Sequence, residues 1–133
     1  DMLQHLKNQG VQLAVATGKS RKGLDRVLAQ TQSQDLFVAT RAASETKSKP
    51  DPLMLTEILQ HTGVQASEAI MVGDTSYDLS MAQQIGMPSI GVAYGVHAVE
   101  VLQGYQPIYI AQNVNDLSHF LQTLTQQAVA ASC

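Results

Sequence analysis

The 133-residue sequence has little cysteine and little charge, and each shortage excludes a class of protein. Its one cysteine, Cys133, allows no intramolecular disulfide and no cysteine-rich zinc site. Charged residues make up 14% of the chain and its eight lysines and arginines form no basic cluster, so we expect no nucleic-acid binding. No apolar run reaches the ~20 residues of a membrane span. We therefore expect a cytoplasmic protein that does not act at a membrane.

The sequence does contain enough apolar material for a folded domain. Hydrophobic residues make up 44% of the chain, which is within the usual globular range. Sixteen glutamines occupy many of the polar positions, so the surface is expected to be polar but weakly charged. A length of 133 residues matches the ~100–200 residues of a typical domain, and we expect residues 1–133 to form one.

Short apolar runs alternate along the chain with segments of helical periodicity. Strands are predicted at residues 11–16, 36–39, 69–72, 89–93 and 108–110. The segments between them repeat apolar residues every three or four positions, as amphipathic helices do. Strands that alternate with helices form right-handed crossovers, which give a parallel sheet covered by helices on both faces. The predicted fold class is therefore an α/β, Rossmann-like parallel sheet.

Capping residues mark several helix boundaries in the sequence. Ser20 is placed to cap the helix after the first strand, and Asn115 to cap the last helix. Asp51 and Pro52 form a cap followed by a first-turn proline, and Gly63 is placed to end that helix. These boundaries leave loops after the carboxyl ends of the strands, where sites in open α/β sheets lie.

Residues suited to phosphate and metal chemistry follow three of the strand ends. Thr17-Gly18 offers a hydroxyl and backbone N–H groups, which can hold phosphate oxygens. Lys49 can supply a compact positive charge to a phosphoryl group, and Lys47 is a second candidate. Asp74 and Asp78 place two carboxylates four positions apart, which suits Mg²⁺. Taken singly these are ordinary turn, loop or cap residues, but together they supply the parts that phosphoryl transfer needs.

Three motifs stand in a fixed order around these residues: Leu13-Ala14-Val15-Ala16-Thr17-Gly18-Lys19-Ser20, then Lys49-Pro50-Asp51-Pro52, then Val72-Gly73-Asp74-Thr75-Ser76-Tyr77-Asp78. They resemble the second, third and fourth motifs of the haloacid dehalogenase superfamily, in its phosphoglycolate-phosphatase-like branch. The loop Tyr94-Gly95-Val96-His97 fits the same branch. The resemblance extends from Asp1 to about Leu124 and so covers nearly the whole chain.

The resemblance implies a magnesium-dependent phosphatase that acts on a small phosphorylated metabolite. The roles it assigns are phosphoryl binding by Thr17 and Gly18, pairing with the phosphoryl group and the nucleophile by Lys49, and magnesium ligation by Asp74 with support from Asp78. His97, on its loop, is either a substrate contact or an ordinary loop residue.

One part of the family pattern is missing from this sequence. The family's first motif is an Asp-x-Asp that supplies the aspartate nucleophile and the acid for the leaving group. No two aspartates here are separated by a single residue. The chain, which starts at Asp1, is therefore expected to be the carboxyl-terminal part of a larger phosphatase, without the first strand and the cap domain. We expect the chain alone to be inactive, since loss of a nucleophile lowers rates by about 10⁶.

The missing first strand would be central in the sheet. It would lie between the strand ending at Ala16 and the strand ending at Val72, so its loss exposes two apolar edges. If the chain folds alone, we expect either that the two halves of the sheet close up or that a partner chain or a missing N-terminal segment completes it.

Two other functions remain open from the sequence. A non-catalytic remnant of the fold would serve as a binding or regulatory module. A receiver-type signalling domain has a similar length and a similar set of residues, but Thr17 and Lys49 precede Asp74 here, which is the opposite of the order in that family.

Overall fold

A computed structural model of the chain describes residues 2–44, 49, 51–92, 99–123 and 128–131. Within these residues the α-helices are α1 (Met2–Asn8), α2 (Arg21–Thr31), α3 (Leu53–Thr62), α4 (Ser76–Gln84), α5 (Val99–Gln103) and α6 (Val114–Gln122). The strands are β1 (Gln12–Thr17), β2 (Ala39–Ala42), β3 (Ala69–Gly73), β4 (Ser89–Val92), β5 (Tyr109–Ala111) and β6 (Ala128–Ala131). None of the helices in the described ranges has both the length and the hydropathy needed to cross a bilayer.

The six strands form one sheet in the order β2-β1-β6-β3-β4-β5. Every pair of neighbouring strands is parallel. The predicted α/β fold with a parallel sheet is therefore confirmed. Because all strands run in the same direction, their carboxyl ends lie along the same edge of the sheet.

Helices cover both faces of this sheet. Alternate residues of β1 point to opposite sides, as they must in a strand. Ala14 and Ala16 pack in a cluster with Met54, Leu55 and Ile58 of α3. The intervening β1 residues pack on the other side, in clusters that contain side chains of α1, α2 and α6. This arrangement confirms the two helical layers predicted from the sequence.

The second strand lies three residues later than predicted. Residues 36–39 were expected to be extended, but Gln34–Leu36 forms a 3₁₀ turn and β2 covers Ala39–Ala42. The Leu36 N–H donates a hydrogen bond to the Ser33 carbonyl at 3.0 Å, which closes this tight turn. The chain can therefore join the sheet only after Leu36. β2 is an edge strand whose two middle residues are half-buried, which explains why its sequence lacks an apolar run.

Two of the capping predictions agree with the structure, one is displaced by a residue and one is wrong. Ser20 accepts from the Gly23 N–H, and Gly63 ends α3 with a φ of 72°. Pro52 is the N-cap of α3 and not its first-turn residue, and Asp51 Oδ1 accepts from the Leu53 N–H at 3.0 Å. The last helix, however, is capped by Asn113, not Asn115. Asn113 has the extended conformation and the spacing that let its side chain accept from the third residue of α6.

The expected gap in the centre of the sheet is filled by the chain itself. β6 lies between β1 and β3, with Ala131 opposite both Val15 and Val72. The two halves of the sheet therefore do not pair directly with each other, and completion by a partner chain or by a missing N-terminal segment stays a prediction. The sequence Ala-Val-Ala-Ala of β6 is too short and too weakly patterned to be distinguished from the end of a helix.

A polar contact and an aromatic contact attach α6 to the edge strand β5. The Tyr109 hydroxyl donates to Asp116 Oδ1 at 2.5 Å, and the Gln112 N–H donates to Asp116 Oδ2 at 2.9 Å. The Tyr109 and Phe120 rings are stacked with their centroids 4.1 Å apart. The hydrogen bond from Tyr109 lowers the pKa of Asp116 below its ordinary value and raises the pKa of Tyr109.

We predict that Tyr109→Phe destabilises the protein at neutral pH and has less effect in acid. A carboxyl group whose pKa is lowered by folding stabilises the protein above its unfolded pKa, and this stabilisation is lost as pH falls through the folded pKa. Urea unfolding of wild type and Tyr109→Phe, from pH 7 to about pH 2, measures the difference. Tyr105→Phe is the matched control and should show no such pH dependence. An equal effect of Tyr109→Phe at every pH would contradict the prediction.

Candidate active site

The residues predicted from the sequence lie at the carboxyl edge of the sheet. Thr17 is the last residue of β1, and Asp74 directly follows β3. Asp78 is in the first turn of α4, and Lys49 precedes α3. The candidate site is thus built from the ends of two strands and the starts of two helices.

Lys49 and Asp78 form a buried ion pair. The Lys49 ammonium donates to Asp78 Oδ1. The Asp78 side chain is 0% exposed and that of Lys49 is 13% exposed. A buried carboxylate needs a charged or hydrogen-bonded partner, because the loss of its hydration costs several kcal/mol. Asp78 therefore holds the Lys49 ammonium at the sheet edge.

Thr75 holds the other carboxylate oxygen of Asp78. The Thr75 N–H and hydroxyl both donate to Asp78 Oδ2, at 3.1 and 2.9 Å. The Thr75 Oγ1 in turn accepts from the Asp78 N–H at 3.4 Å, which forms a reciprocal capping box at the start of α4. Both carboxylate oxygens are consequently engaged, and the side chain is fixed in one orientation.

Gly73 makes room for this carboxylate. A Cβ atom added at Gly73 would lie 2.3 Å from the Asp78 Cβ and 2.8 Å from Oδ2. Only glycine permits α4 to bring Asp78 so close to the end of β3. The Gly-Asp-Thr-x-x-Asp spacing is therefore required by packing as well as by any chemistry.

The loop after β1 is held by two hydrogen bonds near Thr17. Thr17 is fully buried, and its Oγ1 accepts from the Lys19 N–H at 3.1 Å. The Ala43 N–H, just after β2, donates to the Lys19 carbonyl at 3.0 Å. These bonds fix the turn at Gly18, which is exposed at the edge of the sheet.

Asp74 differs from Asp78 in having an uncommitted carboxylate. It is half-buried, and no described residue forms a hydrogen bond or an ion pair with it. No three His, Cys, Asp or Glu side chains converge into a metal-binding group in the described part of the chain. Mg²⁺ commonly binds proteins through one or two carboxylates, with water and substrate oxygens as its other ligands. The donor set therefore fits magnesium through Asp74, whereas Asp78 is occupied by Lys49 and Thr75.

The structure brings some of the predicted residues together and separates others. Lys49 pairs with Asp78, a partner that the sequence reading did not anticipate. Thr17 and Asp74 belong to strands separated by β6, which places the strand ends about 10 Å apart at the usual spacing of ~4.8 Å per strand. Lys47 and the loop 94–97 with His97 lie outside the described residues.

The structural roles of Thr75 and Gly73 were not predicted from the sequence. The signal for Thr75 was present, because a threonine followed three positions later by an acidic residue is a capping-box pattern. Gly73 carried no comparable signal, since its role depends on how closely α4 approaches β3.

The chain resembles known proteins in both sequence and fold. A family model described as haloacid dehalogenase-like hydrolase matches residues 1–92. The chain is 32% identical over 120 residues to pyrophosphatase PpaX of Bacillus velezensis, covering 90% of the chain and 56% of that protein. It is 30% identical over 118 residues to a phosphoglycolate phosphatase of Vibrio vulnificus, covering 88% and 52%.

The comparison with solved structures also shows a similar fold. The crystal structure of a predicted phosphatase from Clostridium acetobutylicum superposes with a TM-score of 0.84 at 28% identity, covering 92% of this chain and 57% of that one. The chain therefore spans little more than half the length of the relatives that it matches.

We predict that Gly73→Ala destabilises the protein by about 1–3 kcal/mol, because the added methyl group forces Asp78 away from β3. Gly18→Ala is the matched control, since a Cβ there meets no atom within 4 Å. Its effect should be within about 0.5 kcal/mol. Denaturant unfolding measures both, and equal effects of the two substitutions would contradict the close-approach argument.

We predict that Lys49→Met destabilises the protein by about 3–5 kcal/mol, because it leaves the Asp78 carboxylate buried without its cation. The double variant Lys49→Met/Asp78→Asn should recover part of the lost stability, since it also removes the buried, unpaired carboxylate charge of Asp78. Asp25→Asn, which breaks an exposed pair with Arg21, is the control and should cost no more than about 1 kcal/mol. A Lys49→Met effect as small as that of the control would show that the buried pair is not stabilised by charge.

Proposed function

Because the chain belongs to the haloacid dehalogenase-like hydrolase family, we propose that its site serves a magnesium-dependent phosphomonoester hydrolase. The observation that carries the proposal is the Lys49–Asp78 pair, locked by Thr75 at the sheet edge that also holds Asp74 and Thr17. A fixed cation and an uncommitted carboxylate at one edge suit a phosphate ester and its metal ion.

The relatives support a small phosphorylated metabolite as the substrate. Two of them are named pyrophosphatase and phosphoglycolate phosphatase. The proposal includes a cytoplasmic location, because small phosphorylated metabolites are made and consumed there. The chain spans about half the length of each of these relatives, so the assignment of a small phosphate ester as the substrate is part of the proposal.

The proposal gives each site residue one role. The Thr17 hydroxyl and the Gly18 N–H bind the phosphoryl oxygens at the end of β1. Lys49, held by Asp78, supplies positive charge to the same oxygens. Asp74 would hold Mg²⁺, which when bound neutralises phosphoryl charge and orients the group for attack.

The nucleophile completes the reaction and is supplied by a segment other than this chain. A carboxylate oxygen attacks phosphorus, the ester P–O bond breaks, and the leaving alkoxide takes a proton from a second acid. Water then attacks the aspartyl phosphate, which releases inorganic phosphate and restores the carboxylate. Since this chain has no Asp-x-Asp, we infer that it is inactive alone.

A second candidate is a non-catalytic module that binds phosphorylated ligands. The observation that favours it is β6, which fills the centre of the sheet with residues that carry no nucleophile. In this case Thr17, Lys49 and Asp74 would retain ligand binding without turnover.

The magnesium role predicts that Asp74→Asn weakens Mg²⁺ binding by at least about 10-fold. The measurement is isothermal titration of the chain with Mg²⁺ in the presence of inorganic phosphate. Asp35→Asn removes an exposed carboxylate away from the site and should leave the affinity unchanged. Equal Mg²⁺ affinities of wild type and Asp74→Asn would show that Asp74 does not bind the ion.

Hydrolysis of p-nitrophenyl phosphate distinguishes the two candidate functions. The chain alone should release no p-nitrophenol with Mg²⁺, and a longer protein that includes an upstream Asp-x-Asp strand should release it. Magnesium-dependent turnover by the chain alone, abolished by Asp74→Asn, would contradict the need for a separate nucleophile. Ligand binding without turnover in the longer protein would favour the non-catalytic module.

A further inference from the structure

We propose that the outer edge of β2 carries a binding site for a small organic carboxylate with an apolar body. The site is an open cavity of about 410 Å³, a volume typical of pockets for small molecules. Its described lining includes none of the four candidate active-site residues Thr17, Lys49, Asp74 and Asp78. Binding at this cavity requires no phosphatase activity and goes beyond the proposed function.

The cavity lies along β2, which is an edge strand of the sheet. Among the described strands β2 pairs only with β1, so the backbone groups on its outer side have no neighbouring strand. The cavity is lined by residues of both α2 and α3, which pack on opposite faces of the sheet. A cavity that reaches both helices must therefore extend around the outer edge of β2.

Basic side chains outnumber acidic ones in the lining of this cavity. Arg21 at the start of α2 and Arg41 on β2 both line it, and Asp25 is the one acid among its described lining residues. His61, in the last turn of α3, adds a third basic side chain. Charge complementarity therefore favours an anionic ligand.

The cavity also has an apolar wall, which is formed by Leu28, Phe37 and Val38. Val38 is 46% exposed, so a ligand that covers it removes apolar surface from water. A small inorganic anion would leave this wall uncovered. A carboxylate attached to a hydrocarbon chain or ring would contact both the basic side chains and the apolar wall.

Arg21 is the residue that we expect to bind the carboxylate. Its Nη2 donates to Thr40 Oγ1 at 2.9 Å, which holds the side chain against β2. Its Nε and Nη2 also contact Asp25, at 3.1 and 3.0 Å, and both contacts use the same oxygen, Oδ1. A ligand carboxylate that replaces Asp25 can present both of its oxygens to the guanidinium, which is the stronger, bidentate arrangement. The Asp25 side chain is 62% exposed, so the exchange costs little.

Arg41 supplies a second guanidinium, whose own carboxylate partner is distant. Its Nε lies 3.6 Å from Glu57 Oε1, which is too far for a hydrogen bond, and that oxygen accepts no hydrogen bond from the described residues. The Arg41 Nη1 donates to the Thr40 carbonyl at 2.8 Å. The charge of Arg41 is therefore only partly compensated, which strengthens the attraction of an anion to the cavity.

An NMR titration of the chain tests the site. The probe is hydrocinnamate, whose carboxylate and ring match the basic and apolar parts of the cavity. The amide chemical-shift changes should centre on residues 37–41, with a Kd on the order of 1 mM. Two controls each lack one part of the probe: hydrocinnamyl alcohol lacks the charge, and acetate lacks the ring. Both should bind at least about 10-fold more weakly.

Three results of this titration would overturn the proposal. One is the absence of shift changes at residues 37–41 up to about 20 mM hydrocinnamate. Another is equal affinity for hydrocinnamate and its alcohol, because binding would then not depend on charge. The third is a set of shift changes confined to Asp74 and Thr75, because the ligand would then bind at the candidate active site.

Three substitutions on α2 separate binding by Arg21 from the effect of net charge. Arg21→Gln should weaken hydrocinnamate binding at least about 10-fold. Lys22→Gln removes the same charge from an exposed residue outside the lining, and its Kd should stay within about 2-fold of wild type. Asp25→Asn removes the competing carboxylate and should strengthen binding by about 3-fold.

Equal losses of affinity in Arg21→Gln and Lys22→Gln would contradict a specific role for Arg21. If Arg21→Gln does not fold, Asp25→Asn decides, because its pair with Arg21 is exposed and its loss leaves the core unchanged. An Asp25→Asn variant that binds hydrocinnamate no more tightly than wild type would overturn the proposal.

Discussion

The buried carboxylate of Asp78 is the constraint around which the carboxyl edge of the sheet is organised. A charge removed from water must be compensated, and the compensation comes from Lys49 on one oxygen and Thr75 on the other. Gly73 permits the approach by lacking a side chain. One buried charge thus connects the end of β3, the start of α4 and the segment before α3.

The sequence was sufficient to predict the features that depend on local chemistry. Ser20 and Gly63 bound their helices as predicted, because capping and positive φ are properties of single residues and their neighbours. The strand-end positions of Thr17 and Asp74 followed from hydrophobic runs. Features that depend on tertiary packing were not predictable. The position of β2 is set by a 3₁₀ turn, and the closeness of Gly73 to Asp78 by how α4 docks.

The site and the sheet centre give different information about function. The paired and hydrogen-bonded side chains around Asp78 lie within the residues that match a hydrolase family. The strand between β1 and β3 lies outside the family match. The residues proposed to bind phosphate and metal therefore lie in or near the part of the chain that matches the family, and β6 lies outside it.

The place of β6 in the sheet also determines when the sheet can be finished during synthesis. Gln12 of β1 pairs with Ala128, on the last strand that the structure describes. β1 and β3 therefore emerge from the ribosome well before the strand that separates them, and their facing edges stay unpaired in the interval. Pairing between segments so distant in sequence slows folding, because a long loop must close first. Until β6 is made, the nascent chain has two exposed apolar strand edges, so its folding yield should depend on how quickly β6 follows β3.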